Sequence, residues 1–215
     1  MPEARFTDVR WFAEVDSTNR VAADLARAGA ADGLVVGADH QTAGRGRRGR
    51  SWESRPGAAL LVSVVLRPAP RLVTLAAGLA AADACEAAVA GISVALKWPN
   101  DLLRDGAKLG GILTEVVGDA VVVGLGVNLG WAPDGAARLG PDVDRDAALR
   151  AYLAGLADPG DVLARYRQRC STIGRRVRVQ LPDGTLDGTA EAVDDEGRLV
   201  VGGRPVSAGD VVHVN

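Results

Sequence analysis

The sequence predicts an α+β protein, in which a mixed β-sheet flanked by helices is followed by a small all-β segment. Over residues 1–173, apolar runs of strand length alternate with stretches of helical periodicity. After residue 174 the helical pattern stops, and about five short strands separated by Gly- and Asp-containing turns follow. We therefore expect a larger domain at residues 1–173 and a small β-barrel or sandwich at residues 174–215.

The elements of the larger domain follow from periodicity and from Gly and Pro punctuation. Helices are predicted at residues 18–27, 72–89, 146–156 and 159–172. Strands are predicted at residues 9–13, 34–38, 59–66, 94–98, 112–117 and 120–127. The segment 59–66 is almost continuously apolar, which predicts a central buried strand. Asp16 or Ser17 is expected to cap the first helix, and Asp105-Gly106 is expected to form a hairpin turn.

The C-terminal segment reads as strands joined by tight turns. Extended stretches are predicted at residues 177–181, 185–193, 199–201 and 211–214. Turns are predicted at residues 182–184, 194–197 and 202–203. Residues 128–145, which are rich in Gly, Pro and Asp, are predicted to be a loop of the larger domain.

Composition narrows the class of protein. The 215 residues carry a formal net charge of −2 with a pI of about 5.7, so the chain as a whole is not a polyanion binder. Cys85 and Cys170 are far apart without metal-ligand spacing, which argues against a disulfide or a zinc site. The chain shows neither a secretory h-region nor an apolar run of membrane length, so we expect a cytoplasmic protein.

The most unusual stretch is residues 44–50, where three glycines alternate with four arginines, followed by Ser51 and Trp52. Glycines let backbone N–H groups approach a ligand closely, and arginines supply forked donors for phosphate or carboxylate. The same pattern also suits a solvated basic surface loop. Because the basic charge is local, a small anionic ligand fits better than a long nucleic-acid track.

A polar cluster, Ser17-Thr18-Asn19, stands at the start of the first predicted helix. Its simplest role is helix capping, which typically contributes about 1 kcal/mol. The same hydroxyl and amide groups can also hydrogen-bond a small polar molecule at a helix N-terminus. The sequence leaves both interpretations open.

A second polar cluster, Lys97-Trp98-Pro99-Asn100-Asp101, follows an apolar strand. A lysine leaving such a strand is either a snorkelling surface residue or a cation that stabilises charge near a phosphate. Asn100 and Asp101 can order the turn or help to hold a magnesium ion.

Glycines also interrupt the predicted strands at residues 108–115 and 124–128. Glycine inside a strand weakens the sheet, so it indicates either a β-bulge or a group that must approach the backbone closely. Several such features on one small domain favour a ligand site over chance.

Taken together and in this order, these motifs resemble those of bacterial biotin protein ligases. The resemblance extends over about residues 11–215, including an SH3-like C-terminal domain, and its specificity lies in the combination of the 44–50 loop with the 97–101 motif. It implies that biotin, ATP and magnesium give biotinyl-5′-adenylate and pyrophosphate. Biotin then passes to a lysine of the biotin carboxyl carrier domain of a carboxylase, and no tightly bound prosthetic group is implied.

The resemblance also implies residue roles. The catalytic residues would be Lys97 and Arg47. The residues that would contact biotin are Ser17, Thr18, Asn19, Gln41, Gly44, Arg45, Gly46, Arg47, Lys97 and Gly111. The residues that would contact ATP or the adenylate are Arg45, Arg47, Arg48, Trp52, Asn100, Lys108 and Asn128. Asp101 is the one candidate magnesium ligand, and the metal ligands are otherwise undefined.

Two rival functions remain. A lipoate–protein ligase or related acyltransferase is disfavoured by the 44–50 loop combined with the 97–101 motif. A nucleic-acid-binding module is disfavoured by the net charge of −2 and by only 4% aromatic residues. The motifs begin about ten residues from Met1, so we expect a monofunctional ligase without the N-terminal helix-turn-helix domain and without DNA or membrane partners. Whether it is a monomer or a weak dimer stays open.

Overall fold

The computed structural model describes residues 5–182 and 184–214. The larger part contains the strands β1 Val9–Val15, β2 Val35–Gln41, β3 Ala59–Leu66, β4 Ala95–Lys97, β5 Asp101–Arg104, β6 Ala107–Val117 and β7 Ala120–Asn128. Its helices are α1 Thr18–Arg27, α2 Val73–Ala88, α3 Arg145–Ala157 and α4 Val162–Arg169. The C-terminal part contains β8 Arg176–Leu181, β9 Gly184–Val193, β10 Leu199–Val201, β11 Arg204–Val206 and β12 Asp210–His213.

Strands β1 to β7 form one mixed sheet in the order β1-β2-β3-β7-β6-β5-β4. β1 and β2 are parallel, and every other neighbouring pair is antiparallel. Strand β3 is buried along its whole length, as its apolar run predicts. Because β1 and β2 are parallel, the residues that follow them meet at one edge of the sheet, with Val15 opposite Gln41.

Helices cover both faces of this sheet. On one face α2 packs with α3 and α4, and Leu79, which is fully buried, belongs to the main core. Helix α2 is apolar almost all round its circumference, as expected of a buried helix. On the other face α1 packs its alanines, such as Ala22 and Ala26, against Val36 and Val65. These observations confirm the predicted mixed sheet flanked by helices.

The C-terminal strands form a five-stranded antiparallel sheet in the order β11-β10-β9-β8-β12. The long strand β9 pairs with β8 over residues 184–189 and with β10 over residues 190–193, so one strand serves both halves of the sheet. No pairing joins the edge strands β11 and β12 within the described residues, so the SH3-like barrel stays a prediction. The turn predicted at residues 182–184 includes Asp183, which lies outside the described residues.

The two parts share one continuous core. The buried Trp98 belongs to this core, and its indole Nε1 donates to the Gly197 carbonyl of the C-terminal part at 3.0 Å. Its backbone N–H donates to Thr172 Oγ1 at 3.1 Å, next to the point where the C-terminal part begins. The division at residues 173 and 174 therefore stays a prediction.

Three predicted details are wrong. Strand β5, which was not predicted, follows the 97–101 motif. Strand β6 begins at Ala107 and not at the predicted residue 112, because the Asp105-Gly106 turn, with φ of 51° and 80°, reverses the chain immediately before it. Helix α4 spans only Val162–Arg169, since Asp161 caps it by accepting from Ala164 N at 3.1 Å.

The third correction concerns α1. Ser17 occupies the N-cap position but makes no side-chain capping bond, and Asp16 instead accepts from Ser17 N and pairs with Arg20. The polar side chains at this helix start are thus not explained by capping. Within the described residues, none of the helices combines the length and apolarity that a membrane crossing requires.

Candidate active site

A cleft opens over the larger sheet at the edge where β1 and β2 end. Its lining includes most of the predicted site residues, namely Ser17, Thr18, Asn19, Gln41, Arg45, Gly46, Arg47, Trp52, Asn100, Asp101, Lys108 and Gly111. Four predicted residues of the described chain lie outside this lining, namely Gly44, Arg48, Lys97 and Asn128. The cleft therefore joins motifs that are widely separated in the sequence.

The deep end of the cleft is a buried network of neutral polar groups. Ser17, Thr18 and Asn19 are each only 3–4% exposed. Gln41 Oε1 accepts from Thr18 N at 2.7 Å and from Thr18 Oγ1 at 3.0 Å. With its oxygen committed to Thr18, the amide of Gln41 has its Nε2 donor left for a ligand.

Ser63 completes this network, and sequence reasoning missed it. Its hydroxyl lies 2.8 Å from Thr18 Oγ1 and 2.7 Å from Asn19 Oδ1, and the residue is fully buried on β3. A serine inside the apolar run 59–66 was the available signal, because a buried hydroxyl needs a partner.

Glu115 links the deep end of the cleft to the loop above it. Its carboxylate accepts from Asn19 Nδ2 at 2.8 Å and pairs with Arg45 at 3.0 Å. The sequence motif at residues 108–115 included Glu115, but nothing local indicated that it faces a loop 70 residues earlier.

We call residues 44–50 the glycine-arginine loop, and in the structure they form a small hairpin over the cleft. Trp52 N donates to the Gly44 carbonyl at 2.9 Å, and Gly46 N donates to the Arg50 carbonyl at 2.6 Å. Arg45 and Ser51 are therefore paired as an isolated antiparallel β-bridge. The tip is a short 3₁₀ turn, Arg47–Gly49, in which Arg48 has φ of 56°. Glycine is required at position 44 because the Trp52 carbonyl oxygen packs directly against it, and a Cβ there would lie 2.3 Å from that oxygen.

The arginines of this loop have different partners. Arg47 is half-buried and points into the cleft, where Nη1 donates to Asn100 Oδ1 at 3.0 Å. Burial lowers the pKa of its guanidinium, although Asp210 and Asp101 oppose that shift. Arg48 instead donates to the Gln180 carbonyl at 2.9 Å on the C-terminal sheet, which removes it from the cleft.

A charged cluster stands beside the loop. Lys108 Nζ contacts Asp101 Oδ1 at 2.6 Å, and both residues line the cleft. Lys97 faces Asp101 across the β4–β5 pair, and no carboxylate of the described chain lies within 4 Å of its ammonium. Burial lowers the pKa of Lys97, while Asp101 acts in the opposite direction.

The strand glycines make room for two side chains. A Cβ on Gly124 would lie 2.0 Å from Asn19 Oδ1, and a Cβ on Gly126 would lie 2.7 Å from the Trp52 indole. The prediction that a group approaches the backbone at residues 124–128 is confirmed, and those groups are Asn19 and Trp52. The other reading, a β-bulge, holds in the 108–115 motif, where Leu102 pairs with Gly110 and Leu103 with Lys108, so that Leu109 is the extra residue.

A second pocket continues past Trp52 and is lined in part by Lys108 and Asn128. Asn128 Nδ2 donates to the Ala137 carbonyl at 2.9 Å, which fixes the orientation of its amide. Its Oδ1, and the Nε1 of Trp52, are buried and have no partner among the described residues. Buried polar atoms without partners mark a place where a ligand can complete the hydrogen bonds.

The described residues contain no group of three or more His, Cys, Asp or Glu side chains arranged to hold a metal ion. Asp101 is the one carboxylate that lines the cleft, and Lys108 already neutralises it. The cleft lining thus offers a metal ion one carboxylate, with the amide oxygen of Asn100 beside it.

The geometry of the cleft and of the second pocket defines the class of site. A buried neutral polar end leads to a cationic centre beneath the glycine-arginine loop, and a second pocket with unpaired polar atoms lies beside it. Such a site suits a small polar molecule whose far end is joined to an anion and a nucleotide.

Comparison with known proteins agrees with that class. The Biotin/lipoate A/B protein ligase family profile matches residues 11–130, and the Biotin protein ligase C terminal domain profile matches residues 172–214. The chain is 44% identical to the biotin–[acetyl-CoA-carboxylase] ligase of Mycobacterium tuberculosis, over 94% of this chain and 87% of the relative. It is 34% identical to a bifunctional ligase/repressor of Bacillus subtilis, covering 87% of this chain and 67% of the relative.

A solved structure shows the same fold. The biotin protein ligase from Aquifex aeolicus in complex with biotin and ATP superposes with a TM-score of 0.83 at 26% identity, covering 96% of this chain and 98% of the other. The chain therefore belongs to the biotin/lipoate A/B protein ligase family and to its biotin protein ligases.

Proposed function

We propose that this protein activates biotin with ATP to biotinyl-5′-adenylate and transfers biotin to a lysine of a carboxylase's biotin carboxyl carrier domain. The observation that carries this proposal is that the cleft, with its neutral polar end and its cationic centre, adjoins the second pocket across the shared wall residues Ser51, Trp52 and Lys108. The family and the named relatives support the same reaction.

Biotin's ring system would occupy the deep end. Its ureido group has two N–H donors and one carbonyl acceptor, which match the hydroxyls and amides of Ser17, Thr18, Asn19 and Gln41. Lipoate carries a dithiolane ring without such groups. Binding lipoate would leave buried polar atoms unpaired, so the deep end favours biotin over the lipoate alternative by orders of magnitude.

The adenine of ATP would occupy the second pocket beside the Trp52 indole. Asn128 Oδ1, buried and without a protein partner in the described part of the chain, can accept from the exocyclic amine of adenine. Gly126 supports this arrangement indirectly, since it leaves the space into which Trp52 fits.

Adenylate formation joins two anions, so it needs positive charge at one point. A biotin carboxylate oxygen attacks the α-phosphorus of ATP, and the bond to the β-phosphate breaks to release pyrophosphate. Arg47 would hold the carboxylate and α-phosphate together, and Lys97 would stabilise the charge that develops there. Asn100 orients Arg47, because its Oδ1 accepts from that guanidinium while its Nδ2 donates to the Ile112 carbonyl at 2.8 Å.

Magnesium would enter with ATP as part of the co-substrate and would offset the charge of its phosphates. Asp101 is the side chain of the cleft suited to contact the metal ion, and before ATP binds its negative charge is neutralised by Lys108. In the second step, the amine of the carrier lysine attacks the acyl carbon and AMP leaves.

The experiment that tests the proposal is ATP–pyrophosphate exchange by the purified protein, with biotin or lipoate as the acid. We expect exchange with biotin and none above background with lipoate, because only biotin satisfies the deep end. Equal exchange with both acids, or exchange with lipoate alone, would overturn the proposed substrate.

A further inference from the structure

The C-terminal sheet touches the glycine-arginine loop at one carboxylate, that of Asp210 at the start of β12. Arg50 Nη2 lies 2.5 Å from Asp210 Oδ1, and Arg48 Nη1 lies 3.9 Å from Asp210 Oδ2. Arg48 also donates to the carbonyl of Gln180, the residue that pairs with Asp210 across the sheet. Two of the four loop arginines are thus tied to one end of the C-terminal sheet.

The opposite side of the loop is tied to the larger sheet. Arg45 pairs with Glu115 on β6 at 3.0 Å, so carboxylates hold the loop from both sides. Arg47 differs from these three arginines. Its guanidinium bonds only to neutral oxygens among the described residues, those of Asn100 and Gly209 at 3.0 and 3.4 Å. No carboxylate of the described chain therefore bonds directly to Arg47, although Asp210 and Asp101 lie near enough to act on its charge.

We propose that Asp210 is a positioning residue that holds the glycine-arginine loop closed over the acyl-adenylate until the acceptor lysine arrives. This inference rests on the proposed ligase function. The competing loss is hydrolysis, in which water attacks the acyl carbon and releases biotin and AMP. A closed loop excludes that water and so keeps the activated biotin for transfer.

The Arg50–Asp210 ion pair is weak enough for the loop to open again when the carrier lysine enters. Arg50 is 61% exposed and Asp210 is 23% exposed, so solvent and salt screen their attraction. A fully buried pair would hold the loop too firmly for the carrier lysine to enter. We therefore expect hydrolytic release of AMP by the unaltered protein to rise with salt concentration.

The test compares Asp210→Asn, Arg50→Gln and the double variant in the full-length protein with biotin, ATP and magnesium but no carrier. The pyrophosphate burst reports adenylate formation, and steady AMP release reports hydrolysis. We expect each single variant to form adenylate while AMP release rises about threefold to fivefold. The double variant should be no worse than Asp210→Asn alone, because the contact that Arg50→Gln removes is already lost in that variant.

The matched control is Asp187→Asn, which breaks the Arg178–Asp187 pair on the same small sheet without touching the loop. It should leave AMP release unchanged. Unchanged release in the Asp210 and Arg50 variants, additive effects in the double variant, or an equal rise with Asp187→Asn would overturn the inference. If Asp210→Asn does not fold, the loop variant Arg50→Gln and the conservative Asp210→Glu decide the question.

Failure of the inference and failure of the proposed function give different results. Without a biotin-dependent pyrophosphate burst in the unaltered protein, the ligase proposal fails. With a burst but no change in AMP release among the variants, only the role of Asp210 fails.

Discussion

Arg47 and Arg48 are neighbours in the chain but have different tasks in the structure. Arg47 enters the cleft and bonds there to Asn100, whereas Arg48 bonds to the C-terminal sheet. Their partners lie 53 and 132 residues away, so no local pattern could tell the two side chains apart. The arginine-rich motif was predictable, but the assignment of individual arginines was not.

Replacing Arg47 should therefore have a larger effect on catalysis than replacing Arg48. We expect Arg47→Ala to slow biotin-dependent pyrophosphate release by about 100-fold or more, as for loss of one donor at a developing charge. Arg48→Ala, the matched control, should slow it by no more than about threefold because its contact is indirect. Equal losses in the two variants would show that the loop acts only through its fold.

The pH dependence of adenylate formation should report on Lys97. Burial lowers the pKa of this ammonium from the ordinary lysine value of 10.5. As pH rises through that lowered pKa the charge is lost, so the adenylation rate should fall on the alkaline side below pH 10.5. Lys97→Arg should move the alkaline limb upward, since guanidinium stays charged. An unchanged limb in that variant would assign the titration to another group.

At the scale of elements, the strand glycines explain how the site is shaped. Gly124 and Gly126 lie on β7 and let Asn19 and Trp52 approach its backbone. The sequence indicated that something must come close at this strand. It could not identify the two side chains, because they arrive from α1 and from the residues after the loop.

Adding a methyl group at Gly126 should weaken the binding of ATP more than the binding of biotin. A Cβ there would meet the Trp52 ring at 2.7 Å, so Gly126→Ala should raise KM for ATP by about tenfold, with a smaller change for biotin. Gly78→Ala is the control, since its Cβ would meet Leu96 at an ordinary 3.6 Å and alanine favours a helix by about 0.5–1 kcal/mol. An unchanged KM for ATP in Gly126→Ala would refute the placement of Trp52 beside adenine.

Most elements were predictable because their apolar periods were clear. Strand β3 and helix α2 fall where the sequence indicated, within one residue at either end. Strand β5 was missed because the short segment Asp101–Arg104 carries charged residues at both ends. Those charges face the cleft or the loop before α3, a tertiary reason that local pattern does not contain.

At the scale of the whole molecule, Trp98 joins the two parts of the chain. It is 2% exposed, belongs to the shared core and donates to Gly197 of the C-terminal sheet. The 97–101 motif therefore contacts both regions. Asn100 and Asp101 line the cleft, while Trp98 bonds to the C-terminal part that carries Asp210.

Truncating Trp98 should destabilise the whole protein. We expect Trp98→Ala to lower the free energy of unfolding by about 3–5 kcal/mol, measured by urea denaturation. The half-buried Trp131, which contacts Arg55 at 5.2 Å, provides a control whose loss should cost clearly less. Equal costs for the two tryptophans would contradict a shared core organised around Trp98.

The measurement that tests the ligase account most directly is the mass of a biotin carboxyl carrier domain after incubation with the protein, ATP, magnesium and an acid. We predict that biotin adds the mass of one biotinyl group to the carrier, that lipoate adds nothing, and that Arg47→Ala nearly abolishes the change. A carrier modified by lipoate, or left unmodified by biotin, would contradict the account.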